Sequence, residues 1–266
     1  MEISKLINLT HQEFIKTSTL AIVSDWQGNK DFEGEGMKLV RNRNLEFDIP
    51  ETMEELQQQT HCDLPWAEDH FQERMSGEPT NPGKTYKYWP YHKDLDLSKY
   101  KTELFSHTYQ ERYWPAFANA KKSFDGGSYK NFGIHFQLGD LNDVINLLNG
   151  NPKTRQAYLP IWFPEDTWAA GNNKRVPCTL GYYFWIEDNK LYCNYIIRSC
   201  DLFRHFRNDI YLTGRLMQEV LDFLNFGRDD KYKLGTMTMM IFNLHLFNKD
   251  VYPFSRKENN IKGYGK

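Results

Sequence analysis

No run of eighteen apolar residues occurs anywhere in the 266 positions, which excludes a transmembrane helix. Cysteine is scarce: Cys62, Cys178, Cys193 and Cys200 are too few for a disulfide scaffold. Neither sign of charge dominates. Lys plus Arg number 33 against 35 for Asp plus Glu, a formal charge of −2, so no net field draws the chain to nucleic acid or to an anionic membrane. The opening Met1-Glu2-Ile3-Ser4-Lys5 lacks the basic head and apolar stretch of a secretory signal, and a soluble intracellular protein is expected. C-x-x-C and H-E-x-x-H are missing, so no metal site is expected. Also missing are a Walker loop, G-x-G-x-x-G and G-x-S-x-G, the usual signatures of P-loop hydrolysis, Rossmann cofactors and serine hydrolysis. No repeat or low-complexity tract divides the chain, which reads as one domain over residues 1–266.

What is abundant is aromatic: 7 Trp, 16 Tyr and 18 Phe. They argue against disorder despite a mean hydropathy of −0.71. The front third reads as mostly helical. Glu51 to Gln59 favours helix, and Asp63 to Met75 offers Asp63 as N-cap with Pro65 in the first turn. Glu78 to Tyr100 reads as a long loop crowded with Tyr and Trp, part of a loop-rich insertion over 78–127. Its aromatics, Trp89 and Trp114 included, read first as packing. Leu141 to Leu148 has helical spacing and stops at Asn149-Gly150-Asn151-Pro152.

The second half is strand-like. Ala157 to Phe163 is a short apolar run closed by Pro164. Thr179 to Ile186 and Leu191 to Arg198 form a hairpin about Glu187-Asp188-Asn189-Lys190. Ile210 to Phe226 carries an apolar stripe at spacings of three and four, a buried-face helix ended by Gly227, and Thr236 to His245 is a further strand. Helices with a mixed, mostly antiparallel sheet make an α+β domain.

Chemistry-bearing residues cluster in this half. Cys178, beside Lys174 and Arg175 at a strand start, is either a thiolate nucleophile or a small buried hydrophobe; Cys193 and Cys200 read as structural. Arg198 and Ser199 at a strand end suit a phosphate, with a salt bridge to Asp201 as the plain alternative. Arg204, His205 and Arg207 are a basic patch or a solvated face, and Asp209 reads equally as a helix cap.

Taken together, Asn151-Pro152-Lys153-Thr154-Arg155, Leu159-Pro160-Ile161-Trp162, Val176-Pro177-Cys178, Arg198-Ser199-Cys200-Asp201 and Leu244-His245-Leu246 resemble, in order and spacing, thymidylate synthase and its hydroxymethylase relatives. The likeness runs from Leu141 to about Val251, with Glu68-Asp69-His70-Phe71 similar to the family's glutamate-bearing helix. It implies a thymidylate synthase-like fold, a pyrimidine nucleoside monophosphate substrate, 5,10-methylenetetrahydrofolate as cosubstrate, no metal, and a homodimer in a cytoplasm (a host's, for a viral chain). It implies Cys178 as nucleophile and Glu68, with Glu73 competing, as the group that organises water. It further implies Arg155 from a partner subunit, Arg198 and Ser199 on the phosphate, His245 on the sugar and Asp201 on the pterin.

Departures steer the substrate. Thr179 follows Cys178 where thymidylate synthases have His, and Asp209 stands eight beyond Asp201 where they have Asn, unless Asn208 takes that role. Both features resemble phage deoxycytidylate (dCMP) hydroxymethylases. A protonated carboxyl matches the N3 acceptor and 4-amino donor of cytosine. Gln156 replaces a second arginine, Phe247 a sugar-binding Tyr, and Phe132 before Gly133 an active-site Tyr. CMP, and a dUMP-directed synthase or hydroxymethylase, stay open as alternatives.

Overall fold

The computed structural model describes residues 1–22, 35–78, 80–81, 83–91, 107–115, 139–172 and 175–263. In chain order these form α1 (Ile3–Thr17), β1 (Thr19–Ile22), β2 (Gly36–Asp48), α2 (Met53–Thr60), α3 (Trp66–Met75), α4 (Tyr109–Tyr113), α5 (Leu141–Gly150) and β3 (Tyr158–Pro160). There follow α6 (Pro164–Gly171), β4 (Thr179–Glu187), β5 (Lys190–Ile197), β6 (Cys200–Asp201), α7 (Phe206–Asn225), β7 (Lys233–Phe247) and α8 (Val251–Gly263).

The strands make one sheet in the order β1-β2-β7-β5-β4-β3, with β6 also paired to β7. Four ladders are antiparallel, while β5 and β6 run parallel to β7. The fold is α+β as the sequence implies, and α7 is the crossover that a parallel neighbour requires. The β4–β5 hairpin turns through Asp188 (φ 48°) and Asn189 (φ 59°), two residue types that tolerate the left-handed region.

Alternation assigns the sheet two faces. Leu45, Phe47, Tyr182, Phe184, Cys193, Tyr195, Met239 and Ile241 point inward and are buried, packing against α7. That helix is enclosed on nearly every side. Helix α2 crosses it so closely that a Cβ on Gly214 would lie 2.8 Å from Leu56 Cδ2. The outer face carries the stacked row Tyr183, Trp185 and Tyr192.

Several local expectations are corrected. The front third holds the thirteen-residue β2, whose polar residues hide its strand character. Asp63 does not cap α3. Pro65 holds the cap position with no side-chain hydrogen bond, and the Asp63 carboxylate is engaged by Asn208 and Lys257. Pro164 opens α6 instead of merely closing a strand, with the Asp166 carboxylate accepting from Phe163 N. Asp209 lies inside the first turn of α7, whose cap position is His205. Helix α8 carries no signal that periodicity picked out. Within 78–127, Trp89 and Trp114 are buried in the core cluster, as the packing reading expects. Phe132, Gly133 and Lys174 lie outside the described residues.

Candidate active site

A cavity of about 620 Å³ opens between the β2–β7 edge of the inner face, α3, α4 and the start of α7. Three cross-strand pairs floor it: Met37 with Phe247, Leu39 with His245, and Arg41 with Asn243. Cys178, Arg198, Ser199, Asp201, Asp209 and His245, all singled out in the sequence, line this one cavity.

Cys178 sits where the chain enters β4. Arg198 clamps that entry, its Nε donating to Pro177 O (2.8 Å) and its Nη2 to Val176 O (3.3 Å), with Nη2 4.0 Å from the Cys178 sulfur. Burial raises the thiol above its ordinary value. Arg198 and Arg175 oppose that rise without cancelling it.

Ser199 Oγ lies 3.3 Å from His245 Nδ1, and Asn243 Nδ2 donates to Arg198 O at 2.8 Å. Burial disfavours the charged form of His245. Asp201 accepts from the Phe203 and Arg204 amides and from the Arg204 side chain. Burial alone would raise its carboxyl, but His245, Arg204 and His205 hold it below the usual range. Arg204 and Arg207 are no solvated face: Arg204 pairs with Asp201 and Asp250, Arg207 with Glu258.

The neighbours Asn208 and Asp209 have different fates. The Asn208 amide accepts from Asp63 N (2.9 Å) and donates to Asp63 Oδ2 (2.9 Å) and Arg204 O (3.1 Å), so its hydrogen-bonding capacity is largely consumed. Among the described residues the Asp209 carboxylate accepts only a thiol hydrogen bond, from Cys200 at 3.6 Å. Burial lifts its carboxyl to about 7, against the pull of Arg74.

Helix α3 turns Trp66, His70, Glu73 and Arg74 to the cavity, the i, i+4, i+7, i+8 face. Glu68 is two positions off that face. It is corrected from the expected place: its carboxylate accepts from Tyr211 OH (2.5 Å) and Arg215 Nε (3.1 Å) on α7 and does not line the cavity. Glu73 does. It accepts from Thr85 Oγ1 (2.5 Å) and the Lys84 amide, and these hydrogen bonds with His70 outweigh burial to bring its carboxyl down to about 2. The loop passes so tightly that a Cβ on Gly83 would run into the Glu73 carboxylate.

Arg155 lies elsewhere, in a shallow depression of the sheet's outer face with Tyr183, Trp185 and Asn194. It contributes nothing to its own chain's cavity.

Sequence reasoning missed several cavity residues. Arg74 is 5% exposed, stacks 4.1 Å from the Tyr109 ring centroid and donates to His70 Nε2 at 3.0 Å. Tyr109 reaches Thr179 (3.2 Å), whose hydroxyl also meets Tyr195 (3.0 Å). An aromatic wall runs from His70 over Trp66 (4.9 Å) to Trp89 (6.2 Å) and His205 (5.2 Å). Only the α3 periodicity held a usable signal, and its weak apolar face obscured it.

The chain belongs to the thymidylate synthase family, whose sequence model matches residues 93–259. It is 33% identical over 114 residues to thymidylate synthase of Listeria monocytogenes serotype 4a, 43% of this chain and 33% of that one. It is 32% identical over 76 residues to thymidylate synthase of Francisella philomiragia, 25% of this chain and 28% of that one. A Methanosarcina barkeri relative is 28% identical over 130 residues, 48% of this chain and 54% of its own. The chain thus spans at most about half the length of these curated relatives. The structure of thermostable thymidylate synthase A from Bacillus subtilis superposes with a TM-score of 0.61 at 14% identity, covering 96% of this chain and 83% of that one. That likeness carries the fold. Among the described residues no helix is long and apolar enough to cross a membrane, and no group of three or more His, Cys, Asp or Glu gathers to hold a metal ion.

Proposed function

We propose that the protein is a folate-dependent one-carbon transferase that hydroxymethylates C5 of a cytosine nucleotide, dCMP foremost. The observation that carries this reading is the pair Asn208 and Asp209. The amide that would read uracil is bound to Asp63, and the group left facing the cavity is a carboxyl at about 7, protonated in an appreciable fraction near neutrality. A neutral carboxyl donates to N3 and accepts from the 4-amino group of cytosine.

In this reading the Cys178 sulfur adds to C6 and makes C5 nucleophilic, and Asp209 holds the N3 edge as charge shifts through the ring. Binding of a phosphate dianion draws Arg198 and Ser199 to the substrate, while His245 faces the sugar. Methylenetetrahydrofolate supplies the one-carbon unit when bound. Its pterin fits the flat faces of Trp66 and Trp89, and the Trp66 indole N–H, buried without a partner among the described residues, suits a polar ring atom; Asp201 borders the same space. Water at the new carbon falls to the polar wall of His70, Glu73 and Thr85 rather than to Glu68. Arg155 would complete a partner's phosphate site if the outer sheet faces pair in a homodimer, which the aromatic row Tyr183, Trp185 and Tyr192 supports.

The relatives' names favour a dUMP-directed methylase instead, and one experiment decides. The protein is given methylenetetrahydrofolate with dCMP, CMP or dUMP in turn, product is read by mass spectrometry, and dihydrofolate is followed by absorbance. Hydroxymethyl-dCMP without dihydrofolate is expected, and Cys178→Ser should abolish it. A methylated product with dihydrofolate, or turnover of dUMP alone, overturns the reading.

A further inference from the structure

We propose that Arg74 of α3 is the counter-ion of Asp209, a positioning residue that takes up the carboxylate charge when Asp209 passes its proton to the pyrimidine; this rests on the cytosine reading above. Arg74 is 5% exposed and lines the cavity, yet among the described residues no carboxylate lies within ion-pair reach of its guanidinium. The other buried arginines among those residues are each matched: Arg112 to Asp166, Arg204 to Asp250, Arg207 to Glu258 and Arg215 to Glu68.

The neighbours of Arg74 are neutral. Its Nε donates to His70 Nε2 (3.0 Å), a ring that burial, and then Arg74 itself, keeps unprotonated. Its guanidinium carbon stacks 4.1 Å from the Tyr109 centroid. Tyr113 and Tyr182, the other groups it acts on, are phenols that burial holds protonated. Glu73, next in the chain, turns its carboxylate to Thr85 and the Lys84 amide instead. A guanidinium buried without a counter-charge is costly, which calls for an anion that arises in the cavity itself.

Asp209 is the matching group. It lines the same cavity, and among the described residues its carboxylate is bonded by the Cys200 thiol and by no cation. Of the charged groups that act on it, Arg74 favours the carboxylate and Asp201 opposes it. Tyr109 feels both Arg74 and Asp209, so the three share one end of the cavity; its hydroxyl meets Thr179, the residue after Cys178, at 3.2 Å. Cys178 and Tyr195 also face Asp209.

The chemistry creates the anion. As the Cys178 thiolate bonds to C6, the C5–C6 π pair shifts to C4–C5, the C4–N3 π pair withdraws onto N3, and N3 takes the Asp209 proton. The charge of the thiolate then rests on the Asp209 carboxylate, and Arg74 is the cation that offsets it.

Carbon-13 NMR of the Asp209 carboxyl against pH is measured for the wild type, Arg74→Gln and Arg74→Lys, with circular dichroism to verify folding. The midpoint should rise in the Gln variant and stay near the wild-type position in the Lys variant. For dCMP, kcat should fall about 10–100-fold in Arg74→Gln with KM nearly constant, and Arg74→Lys should recover part of the loss. The wild type supplies a check that needs no change at Arg74: its Nε nitrogen-15 resonance should step at the Asp209 midpoint, and the step should vanish in Asp209→Asn. An unmoved Asp209 midpoint in Arg74→Gln, or no such step in the wild type, overturns the pairing and leaves the cytosine reading standing. A raised midpoint with unchanged kcat overturns the part of Arg74 in the reaction. A wild type that turns over no cytosine nucleotide overturns that part together with the cytosine reading.

Discussion

The thiol of Cys200 points at Asp209, with Sγ 3.6 Å from Oδ2, so the carboxyl that faces the cavity is held from behind by a buried cysteine. This contact makes a prediction with two signs. Cys200→Ala removes a donor to the ionised form and should raise the Asp209 carboxyl further; Cys200→Ser, a stronger donor, should lower it. Arg74, Asp201, Cys178, Tyr109 and Tyr195 surround the same carboxyl and are unchanged in both variants. Carbon-13 NMR of the Asp209 carboxyl against pH reads the shifts, and movement in the same direction for both variants would show that the contact does not govern Asp209.

Asp209 also ties stability to pH. Its folded-state value of about 7 is above the ordinary 3.8, so the native chain holds a proton that the unfolded chain gives up. Stability from this group therefore falls as pH rises from about 4 to about 7 and is level beyond. Asp209→Asn removes the dependence. The variant should gain on the wild type across that window by on the order of 1–3 kcal/mol, after allowing for screening in an open cavity. Urea midpoints at pH 4, 5.5, 7 and 8.5 measure it. The same variant should move base preference toward uracil nucleotides.

Glu73 has the opposite sign. Its folded-state value of about 2 is below the unfolded 4.5, so it stabilises the protein above that value and stops doing so as pH falls through about 2. Glu73→Gln should destabilise by about 1–3 kcal/mol at pH 7, the gap closing as pH drops from about 4.5. A constant gap at pH 7, 5 and 3 would assign the loss to packing against Gly83 and Thr85 instead of charge.

Arg112 and Asp166, both under 5% exposed, are bound by two parallel hydrogen bonds of 2.7 and 2.8 Å, and Arg112 also donates to Ile161 O. They fix α4, which carries Tyr109, to α6 and β3. Asp166→Ala leaves a buried guanidinium uncompensated and should cost about 3–5 kcal/mol in denaturant unfolding. Paired replacement Arg112→Met with Asp166→Leu should recover much of this, and no recovery would locate the loss in the freed Phe163 amide.

Much of the site was legible because its residues come in short contiguous runs at strand ends. Arg198-Ser199-Cys200-Asp201 leaves β5 and enters β6, and Pro177-Cys178 enters β4, so sequence order already implied spatial order. Glu68 was misread for a helical reason. A helix turns about 100° per residue, and without knowing which side α7 occupies, Glu68 and Glu73 are equivalent candidates. Arg74 stayed hidden because an arginine in a polar helix reads as a solvent-facing charge until the packing shows that its face is the interior. β2 was lost for the same reason: Lys38, Arg41, Arg43 and Glu46 mask the alternation that Leu45 and Phe47 continue.

The floor of the cavity is a pairing of the chain's beginning with its end, Met37 against Phe247 and Leu39 against His245. During synthesis α3, the Cys178 hairpin and α7 can all be made while β2, paired with β1, still waits for β7. Contacts of such long sequence separation form late and slowly. A ribosome stalled before β7 would hold a chain with its nucleophile in place and the floor of its binding site not yet laid.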